Sequence, residues 1–391
     1  MHVVHVYKDY PPVMGGIENH VRMLAEGQAR RGLRVTVLVT ARDYRPSVER
    51  ENGVAIIRVA RLGEIASTPL SWQLIRRLRG LEADVIHLQF PYPMGEVAAL
   101  LSRKPRGLVI SYQSDIVRQR WLGRLYRPLM HRVLARADRI LTSSEAYLWS
   151  SKVVSRYAAK TKVVPLGVDL ERFAKPSLAS VKALRYRWPG PLMLFVGRLR
   201  YYKGLEYLLE AMARLDATLL IVGRGPMEAQ WKRLAAKSEA AQRIRFVGDV
   251  SDRELPNYYA AADVFVLPSS QRSEAFGLVQ AEAMASGTPV VTTDLGTGTS
   301  FVNRHGETGW VVPAADPISL AKAIERLLKD DNLRHDMGAK AQARARAIFD
   351  AEKMVDRVIE VYGEVLAAPG KASLGLSDQS QGRGLREDHP A

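Results

Sequence analysis

The chain has 391 residues, enough for two domains that each bury a sizeable apolar core. Hydrophobic residues make up 47% and charged residues 25%, which is typical of globular proteins, and the absence of Cys excludes disulfides, thiolate catalysis and Cys-ligated zinc. The net charge of +16 is concentrated in residues 1–170, which hold 27 Lys and Arg against 14 Asp and Glu. This excess favours an anionic partner such as nucleic acid, an acidic bilayer or a phosphate-bearing acceptor.

The N-terminus has no basic segment followed by a long apolar run, and no window reaches about 18 consecutive apolar residues. We therefore expect neither a signal peptide nor a membrane span. The lack of Cys fits a reducing compartment, so a cytoplasmic protein is the expectation.

Short apolar runs separated by helical patterns fill the first 168 residues. The first run, His2–Tyr7, is followed by the Gly15-Gly16 pair and then by a helical pattern, which predicts a strand, a glycine loop and a helix. Further runs predict strands at 35–40, 54–59, 84–88, 108–111, 139–142 and 162–165. Because strands alternate with helices, we predict an α/β domain over residues 1–168 with a doubly wound parallel sheet.

The same arrangement begins again after a predicted linker at 169–190. Five apolar runs, each followed by glycine or a small polar residue, predict strands at 192–196, 217–222, 244–247, 263–267 and 289–292. Loops after such strands gather at the carboxyl edge of the sheet, where open α/β sheets bind ligands. The sequence therefore predicts a second domain over 191–345 and a ligand site in the cleft between the domains.

Helical patterns continue at 320–328 and from roughly 334 to 366. We expect residues 346–368 to form a C-terminal helix that packs back on the first domain. Residues 369–391 are polar and aperiodic, which predicts a disordered tail.

Two groups of glycine and charged residues follow strands of the second domain. Gly197 and Arg198 come directly after its first strand, and Lys203 follows five residues later. Glu274 and Glu282, separated by seven residues, follow its fourth strand.

These motifs resemble the retaining glycosyltransferases of family 4, which have the GT-B fold. The likeness runs from about residue 2 to residue 366 and is carried also by Gly15–Glu18, Ser114–Ile116, Ala137–Arg139 and Pro165–Asp169. It implies two Rossmann-like domains that face each other across a cleft and a nucleotide sugar as donor substrate, with no further cofactor.

The residue chemistry of the second domain suits a diphosphate. Its two negative charges need fixed cations, which Arg198 and Lys203 supply on a loop where a helix N-terminus adds favourable potential. The same pair can stabilise the leaving pyrophosphate in place of a metal, and no DxD-like aspartate pair is apparent. We expect Glu274 to accept hydrogen bonds from the donor sugar and Glu282 to reach the ribose, which are the roles that the resemblance implies for the two glutamates.

Backbone groups complete the predicted donor site. Small residues allow close backbone approach, and N–H groups at the start of a helix face the phosphates. The predicted donor-binding residues are Gly15, Gly16, Gly197, Ala275, Phe276, Gly277, Leu278 and Glu282.

Each member of the set also has a plain structural interpretation. Arg198 and Lys203 can be solvated surface charges, and Glu274 can be an acid that only offsets a helix dipole. Phe276 can be a core residue, and Gly15-Gly16 a simple turn. The joint spacing and loop placement favour the functional interpretation.

One position departs from the family pattern. Family members usually carry His-Ser-Asp where this chain has Gln113, Ser114 and Asp115. Gln113 can hydrogen-bond a sugar hydroxyl but cannot hold a proton. The retaining reaction remains possible, since in the front-face mechanism proposed for the family the leaving phosphate accepts the acceptor's proton. Gln113 and Asp115 are the candidates on the acceptor side.

An arginine-rich stretch from Ile116 to Arg136 combines one apolar and one cationic stripe at helical spacing. These residues form either a core face with a solvated face, or a surface that docks on anionic lipid with Trp121 and Tyr126 at the interface. Arg76, Arg77 and Arg79 beside Trp72 would extend that surface.

The leading hypothesis is transfer of a hexose to a glycan or lipid-linked acceptor. Mannose from GDP-mannose is the preferred donor, because Gly296–Asn303 and Gly306–Gly309 resemble bacterial mannosyltransferases of polysaccharide assembly. The alternatives are a UDP-sugar transferase and a GT-B epimerase. A nucleic-acid-binding protein is a distant alternative, since no motif of that class accompanies the basic charge.

Overall fold

The computed structural model describes residues 1–13, 15–42, 45–65, 68–102, 105–115 and 120–368. Two large sheets lie within these ranges, one in each half of the chain, together with a two-stranded sheet in the first half. The predicted GT-B arrangement of two Rossmann-like α/β domains is confirmed.

The described residues of the first half contain ten strands. In chain order they are β1 (His2–Val6), β2 (Arg34–Thr40), β3 (Ser47–Glu51), β4 (Val54–Val59), β5 (Gly63–Ile65), β6 (Thr68–Leu70), β7 (Val85–Phe90), β8 (Gly107–Tyr112), β9 (Arg139–Thr142) and β10 (Thr161–Val163). Eight of them form a sheet in the order β10-β9-β8-β7-β1-β2-β4-β3, and β5 pairs with β6 in a separate hairpin.

All neighbours in the first sheet pair in parallel except β3, which is antiparallel to β4. The sequence did not predict β3 because every residue of this edge strand is exposed, so it has no apolar signature. The α-helices seen in the described part of this half are α1 (Gly16–Arg30), α2 (Trp72–Gly80), α3 (Pro93–Leu101), α4 (Arg120–Arg136) and α5 (Glu145–Ser150).

The second sheet has six parallel strands in the order β13-β12-β11-β14-β15-β16. Their bounds are β11 (Leu192–Val196), β12 (Thr218–Val222), β13 (Ile244–Gly248), β14 (Val264–Leu267), β15 (Val290–Asp294) and β16 (Gly309–Pro313). The prediction of five strands was one short, because β16 lies between a glycine turn and a proline that obscure its brief apolar run.

Ten helices belong to the second half of the chain. They are α6 (Leu170–Ala174), α7 (Leu178–Arg187), α8 (Leu205–Ala211), α9 (Glu228–Ala236), α10 (Leu255–Ala261), α11 (Leu278–Ala285), α12 (Thr299–Val302), α13 (Pro317–Lys329), α14 (Asp331–Ile348) and α15 (Ala351–Ala367). The segment at 169–190 contains α6 and α7, and its Phe173 and Trp188 are buried in the second domain's core.

The helical pattern from 334 to 366 is divided into α14 and α15. Asp350 separates them, since its carboxylate accepts a hydrogen bond from the N–H of Glu352 and so caps α15. α15 packs on the first sheet, where Tyr362 and Val365 join a buried cluster with Val85 and other strand residues.

The chain therefore crosses between the domains twice, and the two crossings lie side by side. Val168 N–H donates to the carbonyl of Phe349, and Ala351 N–H donates to the carbonyl of Val168. Gly167 lies so close to the backbone of Ala351 that a Cβ would stand 2.5 Å from its Cα.

Within the described ranges, no helix has the length and apolarity needed to cross a membrane. The predicted tail at 369–391 and Arg118 lie outside the described residues, as does the side chain of Trp121. Tyr126 donates a hydrogen bond to Glu96 and stacks near Phe90 with ring centroids 6.4 Å apart. These contacts engage its hydroxyl and ring in the fold, which favours the core-face interpretation for this residue.

Candidate active site

The end of β11 brings a lysine back against the strand. A short 3₁₀ turn at Tyr201–Lys203 reverses the chain, and Lys203 lies beside Gly197. A Cβ at Gly197 would stand 3.3 Å from both Cε and Nζ of Lys203, so glycine leaves the space that the ammonium group needs. The loop sequence thus buries a cation at the carboxyl edge of the second sheet.

Lys203 forms an ion pair with Glu274, which the sequence placed in the site without showing their contact. Nζ lies 2.6 Å from Oε2, and the two side chains are only 9% and 11% exposed. Ser269 Oγ donates to the same carboxylate oxygen at 3.0 Å. Burial lowers the pKa of Lys203, but the charges of Glu274, Tyr202 and Glu282 and the hydrogen bond to Glu274 together hold that pKa above its ordinary value, so the lysine is cationic.

The second glutamate stands on the first turns of α11. Gly277, in a left-handed conformation with φ 75°, directs the chain into this helix. The carboxylate of Glu282 accepts a hydrogen bond from Tyr259 OH at 2.8 Å. Burial raises the pKa of Glu282, and this hydrogen bond opposes the rise. The sequence did not reveal Tyr259, whose pairing with Glu282 depends on the packing of α10 against α11.

Arg198 differs from Lys203 in its surroundings. It is exposed, and it forms no hydrogen bond or ion pair with any residue that the structure describes. The predicted cation pair therefore consists of one fixed, buried charge and one charge that is open to a ligand.

The residues between the two glutamates have divided roles. Phe276 is buried among Phe301 and Phe349, which bears out its interpretation as a core residue. Ala275 instead packs in the core cluster of the first domain. Leu278 begins α11 and is partly buried against the second-domain core. The loop from 268 to 277 thus touches both domains.

Gly15 and Gly16 lie where β1 is followed by α1. The carboxylate of Glu18 lies against Gly15, where a Cβ would overlap its Oε2, whereas a Cβ on Gly16 would meet nothing within 4 Å. Burial raises the pKa of Glu18. The sequence indicated the glycine pair but not the carboxylate that folds over it.

Gln113 and Asp115 follow β8, and both accept or donate hydrogen bonds with uncharged side chains. Gln113 Nε2 donates to Oε1 of the fully buried Gln89 at 2.9 Å. Asp115 Oδ1 accepts hydrogen bonds from Tyr112 OH at 2.8 Å and from Ser151 Oγ at 2.6 Å. Neither Gln89 nor these hydroxyls could be identified from the sequence, because their contacts join separate strands and helices.

A cluster of buried polar side chains lies within the first domain. His87 is hydrogen-bonded to Tyr362 OH at 2.5 Å and to Ser111 Oγ at 2.8 Å, and His5 to Gln28 at 2.8 Å. Burial lowers the pKa of His5 and of His20 to about 4, so these imidazoles are neutral near pH 7. In the described part of the chain, no three His, Cys, Asp or Glu side chains are grouped to hold a metal ion.

Arg272 joins the two sides of the cleft. Its guanidinium donates to Ser150 Oγ at 3.0 Å and lies 3.8 Å from Asp115 Oδ2. The structure thus brings the second-domain residues Lys203 and Glu274 together at one sheet edge and places Asp115 across from their loop. Sequence analysis passed over Arg272, although its position two residues before Glu274 was the available signal.

The two domains match two family descriptions in turn. Residues 14–172 match Glycosyltransferase Family 4, and residues 184–344 match Glycosyl transferases group 1. The chain is 37% identical to the D-rhamnosyltransferase WbpZ of Pseudomonas aeruginosa, over 90% of this chain and 93% of that protein. It is 34% identical to the O-antigen chain mannosyltransferase C of Escherichia coli, over 94% of this chain and 99% of that protein.

Solved structures share the fold across the chain. The sucrose-phosphate synthase of Thermosynechococcus elongatus has a TM-score of 0.78 at 26% identity, covering 94% of this chain and 99% of that one. Anabaena HepE in complex with UDP-glucose has a TM-score of 0.76 at 20% identity, covering 93% and 100%. Fold and site define a GT-B glycosyltransferase. With these matches, the chain belongs to glycosyltransferase family 4.

Proposed function

We propose that this enzyme transfers a hexose from a nucleoside diphosphate sugar to a glycan or lipid-linked saccharide, with retention of configuration and without a metal. The observation that carries the proposal is the buried Lys203–Glu274 ion pair beside the open cation of Arg198. Such fixed charges at the carboxyl edge of a sheet suit a diphosphate whose negative charge grows as the sugar leaves.

The carboxylates of Glu274 and Glu282 are arranged to accept hydrogen bonds from sugar hydroxyl groups. Both hydrogen-bonding partners of Glu274 end on Oε2, and Oε1 has no hydrogen bond to a described residue. Tyr259 likewise occupies only Oε2 of Glu282. Each glutamate therefore keeps one oxygen to accept hydrogen bonds, from the donor sugar at Glu274 and from the ribose at Glu282.

Proton transfer does not require a base at Gln113 in this proposal. Gln113 binds a sugar hydroxyl through its amide, and the leaving phosphate accepts the proton of the attacking acceptor hydroxyl. Lys203 and Arg198 stabilise that phosphate while its bond to the sugar breaks. Because fixed side chains supply this stabilisation, chelation of divalent cations leaves turnover unchanged.

GDP-mannose is the proposed donor; its mannose is supported by mannosyltransferases among the relatives, such as the O-antigen chain mannosyltransferase C. A second candidate is a donor of D-rhamnose, which the name of the 37% identical relative favours. The two sugars differ only in the 6-hydroxyl group, so a polar or apolar surrounding of C6 separates them.

A screen of nucleoside diphosphate sugars tests the donor. The true donor raises the melting temperature by an amount that grows with the logarithm of ligand concentration over Kd, and decoys do not. Purified enzyme with that donor and a saccharide acceptor then yields a new glycosidic bond, whose anomeric configuration is read by NMR. Inversion, or release of nucleotide without a glycoside, would remove the retaining transferase from consideration.

We also propose that the enzyme works in the cytoplasm and docks peripherally on anionic membrane. Trp72 is 72% exposed at the start of α2, and Arg76, Arg77 and Arg79 are exposed along the same helix. Leu62, also exposed, is joined to this region by the hydrogen bond from its N–H to the carbonyl of Leu70. An exposed apolar group beside cations is the pattern of interfacial binding.

Liposome cosedimentation tests this docking. Binding is expected to rise with the fraction of anionic lipid, to fall with salt and to weaken several-fold in Trp72→Ala. Tyr186→Ala is the control, since Tyr186 is 91% exposed, more than Trp72, but stands on α7 against the second domain. Equal binding to neutral and anionic vesicles would rule the docking out.

A further inference from the structure

The loop from 268 to 277, called the donor loop below, carries an arginine that neither glutamate role explains. Arg272 Nη1 donates to the carbonyls of Gly296 at 3.1 Å and Leu295 at 3.3 Å. These carbonyls belong to the next loop of the same sheet edge. One side of the guanidinium is thereby fixed within the second domain.

The other side of the guanidinium faces the first domain. Nη2 donates to Ser150 Oγ at 3.0 Å and lies 3.8 Å from Asp115 Oδ2. Asp115 is itself held through Oδ1 by Tyr112 and Ser151, which leaves Oδ2 directed at the arginine. A planar guanidinium can serve both directions at once, which a lysine cannot.

Other residues of the donor loop also contact both domains. Ala275 is buried in the first-domain core cluster, and Ser270 N–H donates to the carbonyl of Tyr202, next to Lys203. A shift of the donor loop therefore moves Lys203 and Glu274 together relative to the first domain. Arg272 is the polar link that sets this relation.

On the basis of the proposed function, we propose that Arg272 is a positioning residue that aligns the donor loop with the acceptor-side domain. It contacts neither reacting group in this assignment. Its bridge to Ser150 and Asp115 places the sugar carbon held by the donor loop in line with an acceptor bound on the first domain.

The test separates alignment from donor binding. In Arg272→Gln, kcat for transfer from GDP-mannose, or from the sugar nucleotide that the screen selects in its place, falls on the order of ten- to hundredfold. The Kd of that donor stays within about twofold, because Lys203, Glu274 and Glu282 are unchanged. Hydrolysis of the donor by water, measured without acceptor, stays near the wild-type rate. The ratio of hydrolysis to transfer therefore rises in the variant.

Two further variants probe the bridge itself. Ser150→Ala removes one partner and lowers transfer in the same direction by a smaller factor, and adds little in the Arg272→Gln background. Arg272→Lys keeps the positive charge but loses the planar guanidinium that donates in two directions, so its transfer rate lies between those of Arg272→Gln and wild type. Arg30→Gln is the control, since Arg30 pairs with Glu352 on the surface at 2.6 Å and its loss leaves kcat unchanged.

Contrary outcomes are distinct. Wild-type transfer by Arg272→Gln, or a loss of donor affinity equal to the loss of kcat, overturns the positioning role. The proposed function itself fails on a different result, full turnover in Lys203→Met. If Lys203→Met is inactive and Arg272→Gln is normal, only the role of Arg272 is lost.

Discussion

The two halves of the cleft are built from different kinds of interaction. The second-domain half rests on charge, with Lys203 and Glu274 paired in a nearly water-free position. The first-domain half relies more on hydrogen bonds from uncharged donors, such as the amide contact of Gln113 with Gln89 and the hydroxyl contacts of Tyr112 and Ser151 with Asp115. The difference follows the proposed ligands, because a diphosphate needs fixed cations and a sugar hydroxyl needs directional neutral groups.

Removing charge from the second-domain half is expected to have the largest effect. Lys203→Met takes away the stabilisation of the leaving diphosphate and leaves Glu274 buried without its cation, so kcat should fall about 10²- to 10³-fold. Steady-state transfer kinetics measure the loss. Lys232→Met is the control, because Lys232 pairs with Glu228 on an exposed helix face at 2.7 Å. Equal losses in both variants would contradict a special role for the buried pair.

Acid should weaken the first-domain half through its neutral histidines. The folded pKa of His20 is about 4, below the ordinary value of 6.5, so the unfolded chain binds the proton more readily. The stability is complete above pH 6.5 and is lost as the pH falls toward 4, by about 2 kcal/mol per such histidine between pH 7 and 5. Urea unfolding of wild type and His20→Leu at both pH values measures this difference.

The control for the acid effect is His335→Leu, because His335 is exposed on α14. Its unfolding free energy should keep the wild-type dependence on pH. If His20→Leu also keeps the full acid loss, the buried imidazole is not its source.

A smaller effect on catalysis is expected from a variant that changes only how the Glu282 carboxylate is oriented. Tyr259→Phe removes one hydrogen bond from Glu282 without removing its charge, so donor KM should rise about five- to tenfold, the worth of roughly 1 kcal/mol. The kcat should change little, since Tyr259 acts through Glu282, whose proposed ligand is the ribose and not the leaving phosphate. Tyr207→Phe, on the partly exposed side of α8, provides the comparison. A fall in kcat with unchanged KM would contradict an orienting role.

The smallest effect is expected at Gln113. Gln113→His keeps a hydrogen-bonding group at the position, and its ring N–H can replace the donor to Gln89, so transfer should stay within about threefold of wild type or increase. Gln113→Leu, which lacks both groups, should lose more. A histidine variant with abolished turnover and intact donor binding would show that the family pattern does not transfer to this chain.

The sequence was sufficient for the repeated strand, loop and helix units, since buried parallel strands are continuous apolar runs. It also indicated Lys203 and Glu274 separately. Their contact could not be predicted, because it joins positions far apart in the chain through the meeting of two loops. Strand β3 was not predicted because it is an exposed edge strand, and such a strand carries no apolar pattern.

Residues that orient others were the hardest to predict. Tyr259, Gln89 and Arg272 have no motif, and each acts through a neighbour on another element. The family resemblance supplied the residues expected to meet the ligand, but the hydrogen bonds that hold those residues depend on packing. Tertiary structure was therefore needed to connect the two halves of the cleft.

The side-by-side crossings at Val168 and Asp350 have a mechanical consequence. A single chain segment between two domains allows rotation about many axes. Two segments joined by backbone hydrogen bonds allow fewer, because both must move together. The paired crossings thus restrict how one domain can rotate relative to the other, so the loops that face each other across the cleft keep a limited set of relative positions.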